Sequence, residues 1–156
     1  MQMIEWIGAW PGALLLQESG TAYLFVNAAH ILGIGLLVGS ILPLDLRLAG
    51  CFRSVPVAVI GPFLLRIAVT GGATAILTGL WLFSVKPSEY IANTAFLWKM
   101  ALLVVALGNI FLQHHSRDFR LAMKGGDIDL PVRIRAVVSA LLWLSVLVAG
   151  RWIGFL

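Results

Sequence analysis

Carboxylates are scarce in this chain and cysteines nearly absent. Seven Asp and Glu stand against eleven Lys and Arg in 156 residues, a formal charge of +4. The one cysteine, Cys51, excludes an intrachain disulfide and a multi-cysteine metal site, and its loop is expected to face a reducing compartment. A basic leader with a small-residue cleavage site is missing, since the chain opens Met-Gln-Met-Ile-Glu-Trp, so no cleavable signal peptide is expected. Internal repeats and low-complexity tracts are missing too. The outer loops also lack the His and Met runs of a copper carrier; Met1 and Met3 are the nearest approach. The largest absence is polar surface. Only 12% of residues are charged and 60% are apolar, which excludes a soluble domain and, with it, a nucleic-acid partner. The expected solvent is the lipid bilayer.

What is there is apolar length. Four stretches, at about 21–44, 62–85, 92–113 and 136–156, each approach the roughly 20 residues that cross a hydrocarbon core. They predict an all-α integral membrane protein: one domain over 1–156, a four-transmembrane-helix bundle preceded by an N-terminal interfacial helix at 4–18. That first segment carries Trp6 and Trp10 and is broken at Pro11-Gly12, as suits the headgroup layer. The first span is expected to close at Pro43, with Asp45 and Arg47 at the interface. Pro62 is expected in the first turn of the second span, which leaves 54–61 as a short interfacial piece.

Lys and Arg resist translocation, so their distribution sets the orientation. The loops at 45–56 and 114–135 hold Arg47, Arg53, Arg117, Arg120, Lys124, Arg133 and Arg135, whereas the opposite side offers only Lys86. Both termini are therefore expected on the periplasmic side of a bacterial-type inner membrane. The run from Gly125 to Pro131 reads as turn chemistry in the inner loop. Gly35 with Gly39, and Gly71 with Ala75 and Gly79, place small residues on helix faces where backbones can approach. Thr70, Thr74 and Thr78 form a stripe expected to bond the preceding turn's carbonyls.

Ionisable groups at bilayer depth are costly and mark candidate sites. His30, Arg66, Lys99 and Arg151 qualify. With a rise of about 1.5 Å per residue, His30 lies about 3 Å outward of its span's centre, Lys99 about 5 Å and Arg151 about 7 Å. The four predicted spans contain no Asp or Glu to neutralise these three groups. A haem b would account for them together, with His30 as axial ligand to the iron and Lys99 and Arg151 on the propionates. Two other readings stay open. Lys99 and Arg151 snorkel to headgroups while His30 bonds a carbonyl, or the site carries copper or protons. Met100 has the depth of a second axial ligand. His114 and His115 end the third span about 20 Å away, among lipid phosphates or at a second, inner haem. Arg66 is expected to pair with Asp45 or a lipid head.

His30 followed by Gly-Ile-Gly-Leu-Leu-Val-Gly at 33–39, then Leu77-Thr78-Gly79-Leu80-Trp81-Leu82-Phe83, Asn93-Thr94-Ala95-Phe96-Leu97-Trp98-Lys99 and Gly108-Asn109, resembles the CopD (copper resistance protein D) type of membrane domain, above all its short four-helix relatives. The likeness runs from about residue 22 to the end. His30 and Lys99 also resemble the pair of the HemJ type of protoporphyrinogen oxidase, which implies that both are essential and that haem associates with them. The resulting expectation is a haem b electron-transfer protein, by itself or as the small subunit of a membrane redox complex. A quinone or periplasmic redox partner and homo- or hetero-oligomerisation are part of it. Copper transport or resistance, and porphyrin oxidation of the HemJ kind, are the alternatives.

Overall fold

A computed structural model of the chain describes residues 6–155; Met1, Met3 and the start of the expected interfacial segment lie outside them. The described chain is helical: α1 Pro11–Glu18, α2 Gly20–Ala49, α3 Val57–Phe83, α4 Pro87–Ala92, α5 Thr94–His115, α6 Arg117–Ala122 and α7 Leu130–Trp152, closed by a 3₁₀ turn at Ile153–Phe155. The helices α2, α3, α5 and α7, the last with its 3₁₀ extension, are long and apolar enough to cross a membrane, which makes this a multi-pass membrane protein.

The boundaries differ from the sequence expectation at both interior prolines. Helix α2 does not stop at Pro43 but runs on to Ala49, where Gly50 adopts a left-handed φ of 116° and its N–H meets the Arg47 and Leu46 carbonyls. Helix α3 starts at Val57, after Pro56, and passes through Pro62. Each proline removes one backbone donor, but the packed turns around it hold the helix. The residues expected as an interfacial piece at 54–61 are thus mostly the first turn of a spanning helix, and Asp45 belongs to a helix interior. Helix α5 starts where Asn93 Oδ1 accepts the Phe96 N–H at 3.2 Å. Helix α7 begins at Leu130 with Pro131 in its first turn, six residues earlier than expected.

Helix α2 is the hub. It packs along α3 and also against α7, and α7 packs against α5, while α3 and α5 share no extended contact. The α2–α3 seam is made by glycine. A Cβ at Gly33 would lie 2.7 Å from the Ala75 nitrogen, and one at Gly71 would lie 2.6 Å from the Leu37 nitrogen. The expected partner face at Gly35 and Gly39 is open, with nothing within 4 Å of either position.

Two apolar clusters form the core. Ile41, Ala68, Ala106 and Trp143 fill the middle, and Leu44, Leu48, Val57, Phe119, Val132 and Ala136 fill the arginine-rich end. Asn109 Nδ2 and Gln113 Nε2 donate to the Arg135 and Val132 carbonyls at 3.1 and 3.2 Å, fastening α5 to α7. At the opposite end, Phe83 stacks on Phe96 with ring centroids 5.6 Å apart, and Tyr90 leans on both. Helix α1 docks there too: Trp81 Nε1 donates to the Gly12 carbonyl at 2.8 Å, and Gln17 Nε2 donates to the Val85 carbonyl at 3.1 Å.

Candidate functional site

Helix α3 packs on α2 and helix α5 on α7, with no extended contact between α3 and α5. His30 on α2 and Lys99 on α5 are the partly buried ionisable groups of this half of the bundle. His30 faces α3, where Nδ1 lies 2.9 Å from the Ala75 carbonyl oxygen and 3.1 Å from Thr78 Oγ1. The Thr78 hydroxyl donates its own proton to the Thr74 carbonyl at 2.6 Å. Both neighbours of Nδ1 therefore act as acceptors, so Nδ1 carries the ring proton and Nε2 keeps the lone pair. Gly79 admits the ring: a Cβ there would stand 2.9 Å from Cε1 and 3.8 Å from Nε2. Nε2 has no hydrogen-bond partner among the described residues.

Lys99 is half-buried on α5, its stem against α7. A Cβ at Gly150 would touch Lys99 Cε at 3.6 Å and Nζ at 3.8 Å. Among the described residues Nζ has no carboxylate partner; the single ion pair there is the exposed Lys86–Glu89 at 3.0 Å. Measured on the observed helices, His30 lies about 7 Å and Lys99 about 8 Å outward of their midpoints. Of the three groups expected at one level, His30 and Lys99 come within about 2 Å of each other by this count.

Arg151 is not part of it. Ten residues past the midpoint of α7, it sits about 15 Å outward, exposed, with its guanidinium 4.7 Å from the Phe155 ring centroid. The shift arises because α7 begins at Leu130, which moves its centre toward the arginine-rich end. Met100 is 40% exposed on the lipid side of α5, one residue and about 100° of helix from Lys99. His114 and His115 are exposed at the far end, with their Nδ1 atoms on the Ile110 and Phe111 carbonyls of their own helix, both at 3.0 Å. Arg66 is exposed too, away from Asp45, which is buried facing the Ser139 hydroxyl of α7. The threonine stripe behaves as expected, each hydroxyl donating to the carbonyl four residues back.

Tyr23, Asn27 and Tyr90, beside the His30 face, escaped the sequence reading. Tyr23 and Asn27 continue the His30 face of α2 toward the terminal end at seven and three residues' distance, and the Tyr23 phenol faces that of Tyr90. Burial, then the Tyr23 phenol, pushes Tyr90 above its ordinary pKa, so it stays neutral at physiological pH. The signal was present in the i, i+4, i+7 spacing of the three polar residues. The burial of Asp45, away from this site, was hidden by the expectation that Pro43 ends the helix.

Among the described residues no three His, Cys, Asp or Glu side chains converge as a metal cage. What the site offers is one oriented imidazole on α2 and one ammonium on α5. A model of the DUF6644 family, a family of unknown function, matches residues 4–156, and the chain belongs to that family. No curated protein and no solved structure matches it.

Proposed function

We propose that this member of DUF6644 is a membrane redox protein that holds haem b at the His30–Lys99 pair and passes electrons near the terminal face of the bundle. The observation that carries this is the fixed tautomer of His30. Histidines that bind iron typically donate their second ring N–H to a carbonyl, which orients the free nitrogen and raises its basicity. Here Nδ1 is held by Ala75 and Nε2 is left as the ligand atom. The second part of the fit is Lys99, an ammonium without a carboxylate, which suits a propionate in a low-dielectric setting. Gly79 and Gly150 keep side-chain bulk away from both. Haem b supplies one-electron chemistry at its iron. His30 would hold the iron and Lys99 a propionate, while Tyr23 and Asn27 extend a polar face from His30 toward the terminal end. Arg151, already on Phe155, is left to the headgroup layer.

The test is a spectrum. Protein purified from a haem-replete host should show an α-band on dithionite reduction, and His30→Ala should lose it. Absence of both the band and a pyridine haemochrome signal from the parent protein sinks the proposal.

The His30–Lys99 pair also supports a second reading, porphyrin oxidation of the HemJ kind. A lone-pair nitrogen beside an ammonium could bind an anionic porphyrin and accept its protons, with a quinone taking the electrons. Rescue of a strain lacking protoporphyrinogen oxidase, abolished by Lys99→Ala, is its expected mark. Copper transport, the further alternative, would need metal content that disappears with His30→Ala.

A further inference from the structure

The other end of the bundle holds an independent constellation. Arg47 and Arg53, around the end of α2, and Arg133, in the first turn of α7, line a cavity of about 240 Å³ together with Gly50, Asp127 and Ile128. All three guanidinium groups are held from behind. Arg47 Nε donates to the Val55 carbonyl at 2.5 Å, Arg53 Nε to Gly50 at 3.1 Å and Arg133 Nε to Ile128 at 3.1 Å. Arg47 Nη2 also donates to the Arg53 carbonyl at 3.3 Å, which leaves Arg47 Nη1 and the terminal nitrogens of Arg53 and Arg133 without a hydrogen-bond partner among the described residues. Arg133 Nη1 and Arg53 Nη2 lie 3.5 and 3.7 Å from the position a Cβ would take on Gly50, so the two nitrogens are at most about 7 Å apart. Gly50 has the left-handed φ of 116° that excludes a side chain from that point without strain.

Three cations converge and one acid, Asp127, lines the same cavity; none of the four is in an ion pair among the described residues. Anchored guanidinium groups with free forks are the usual means of holding a tetrahedral oxyanion. The volume suits a headgroup rather than a large ligand. A second cavity of about 150 Å³ shares Arg47, Gly126 and Ile128 with the first and continues along Val57, Ala58 and Ala122. Its apolar wall would suit a glycerol ester or the start of an acyl chain.

We propose that the Arg47–Arg53–Arg133 cavity is a binding site for a phosphate group, which at this end of a membrane bundle is supplied by an anionic phospholipid. It stands apart from the haem reading. Basic pockets between helices at the headgroup level are suited to such lipids.

Native mass spectrometry of the full chain, delipidated in detergent, tests it. The parent protein should take up phosphatidylglycerol but not diacylglycerol, and the Arg53→Gln/Arg133→Gln double variant should bind it at least tenfold more weakly. Arg120→Gln, which removes a positive charge outside the cavity, should bind as the parent does. If the double variant fails to fold, Arg53→Gln alone on its exposed loop carries the test, with a loss of at least threefold. Uptake of inorganic phosphate in place of the lipid, lost in the same variants, keeps the phosphate site and makes its source soluble. Equal binding by parent and cavity variants, or equal loss in Arg120→Gln, overturns the proposal.

Discussion

A histidine becomes useful at bilayer depth when one nitrogen is committed and the other is not. In His30 the committed atom is Nδ1, fixed by a carbonyl and by a hydroxyl whose proton is already spent on Thr74. Gly79 is the residue on which that arrangement depends, because a Cβ there would meet Cε1 at 2.9 Å. Gly79→Val should push the ring off Ala75, cost about 1 kcal/mol or more for the lost bond, and lower haem content at least fivefold. Gly108→Val, at a position with nothing within 4 Å, should leave haem content unchanged; both are read by pyridine haemochrome against protein concentration. Lys99 is the converse case, a donor held in place without an acceptor. A charge so placed is costly unless an anion or water reaches it.

At the level of the elements, the seam between α2 and α3 distinguishes a glycine that packs from one that merely occurs. Gly33 and Gly71 approach the opposite backbone, whereas Gly35 and Gly39 face outward. Gly33→Val or Gly71→Val should therefore force the helices apart and destabilise the fold by about 1–3 kcal/mol, seen as a lower unfolding temperature in detergent. Gly35→Ala and Gly39→Ala should be neutral or stabilise by up to about 1 kcal/mol, because alanine is the better helix residue and no neighbour objects. If all four substitutions behaved alike, the seam would be assigned to the wrong face. Repetition of small residues is visible in a sequence, but the phase of a helix against its neighbour is set by the whole contact surface.

The whole molecule is asymmetric along its axis. Both apolar clusters lie between the middle and the arginine-rich end, while the opposite end is closed by aromatic rings and the docked α1. Orientation in the membrane can be read from the protein's own cysteine. Cys51 is exposed in the arginine-rich loop after α2. If that end faces the cytosol, a membrane-impermeant maleimide should label Cys51 only after permeabilisation, and Ser88→Cys in a Cys51→Ser background should label in intact cells. The opposite pattern would invert the topology and move the His30 site to the cytosolic half.

Hydropathy and chain length alone determined the four crossings, because a hydrocarbon core demands about 20 apolar residues each time, whatever their neighbours. Depth arithmetic along one helix was also enough to set His30 beside Lys99 in height, and to separate both from His114 and His115. Three things needed the tertiary structure. Pro43 and Pro62 stay helical because adjoining turns and helices support them, so the ends of α2 and α3, the burial of Asp45 and the depth of Arg151 could not be measured from composition. Which glycines meet depends on helix rotation, a property of pairs. The assembly of Arg47, Arg53 and Arg133 around one cavity depends on how two loops and the foot of α7 close on each other, and linear spacing carries no record of that.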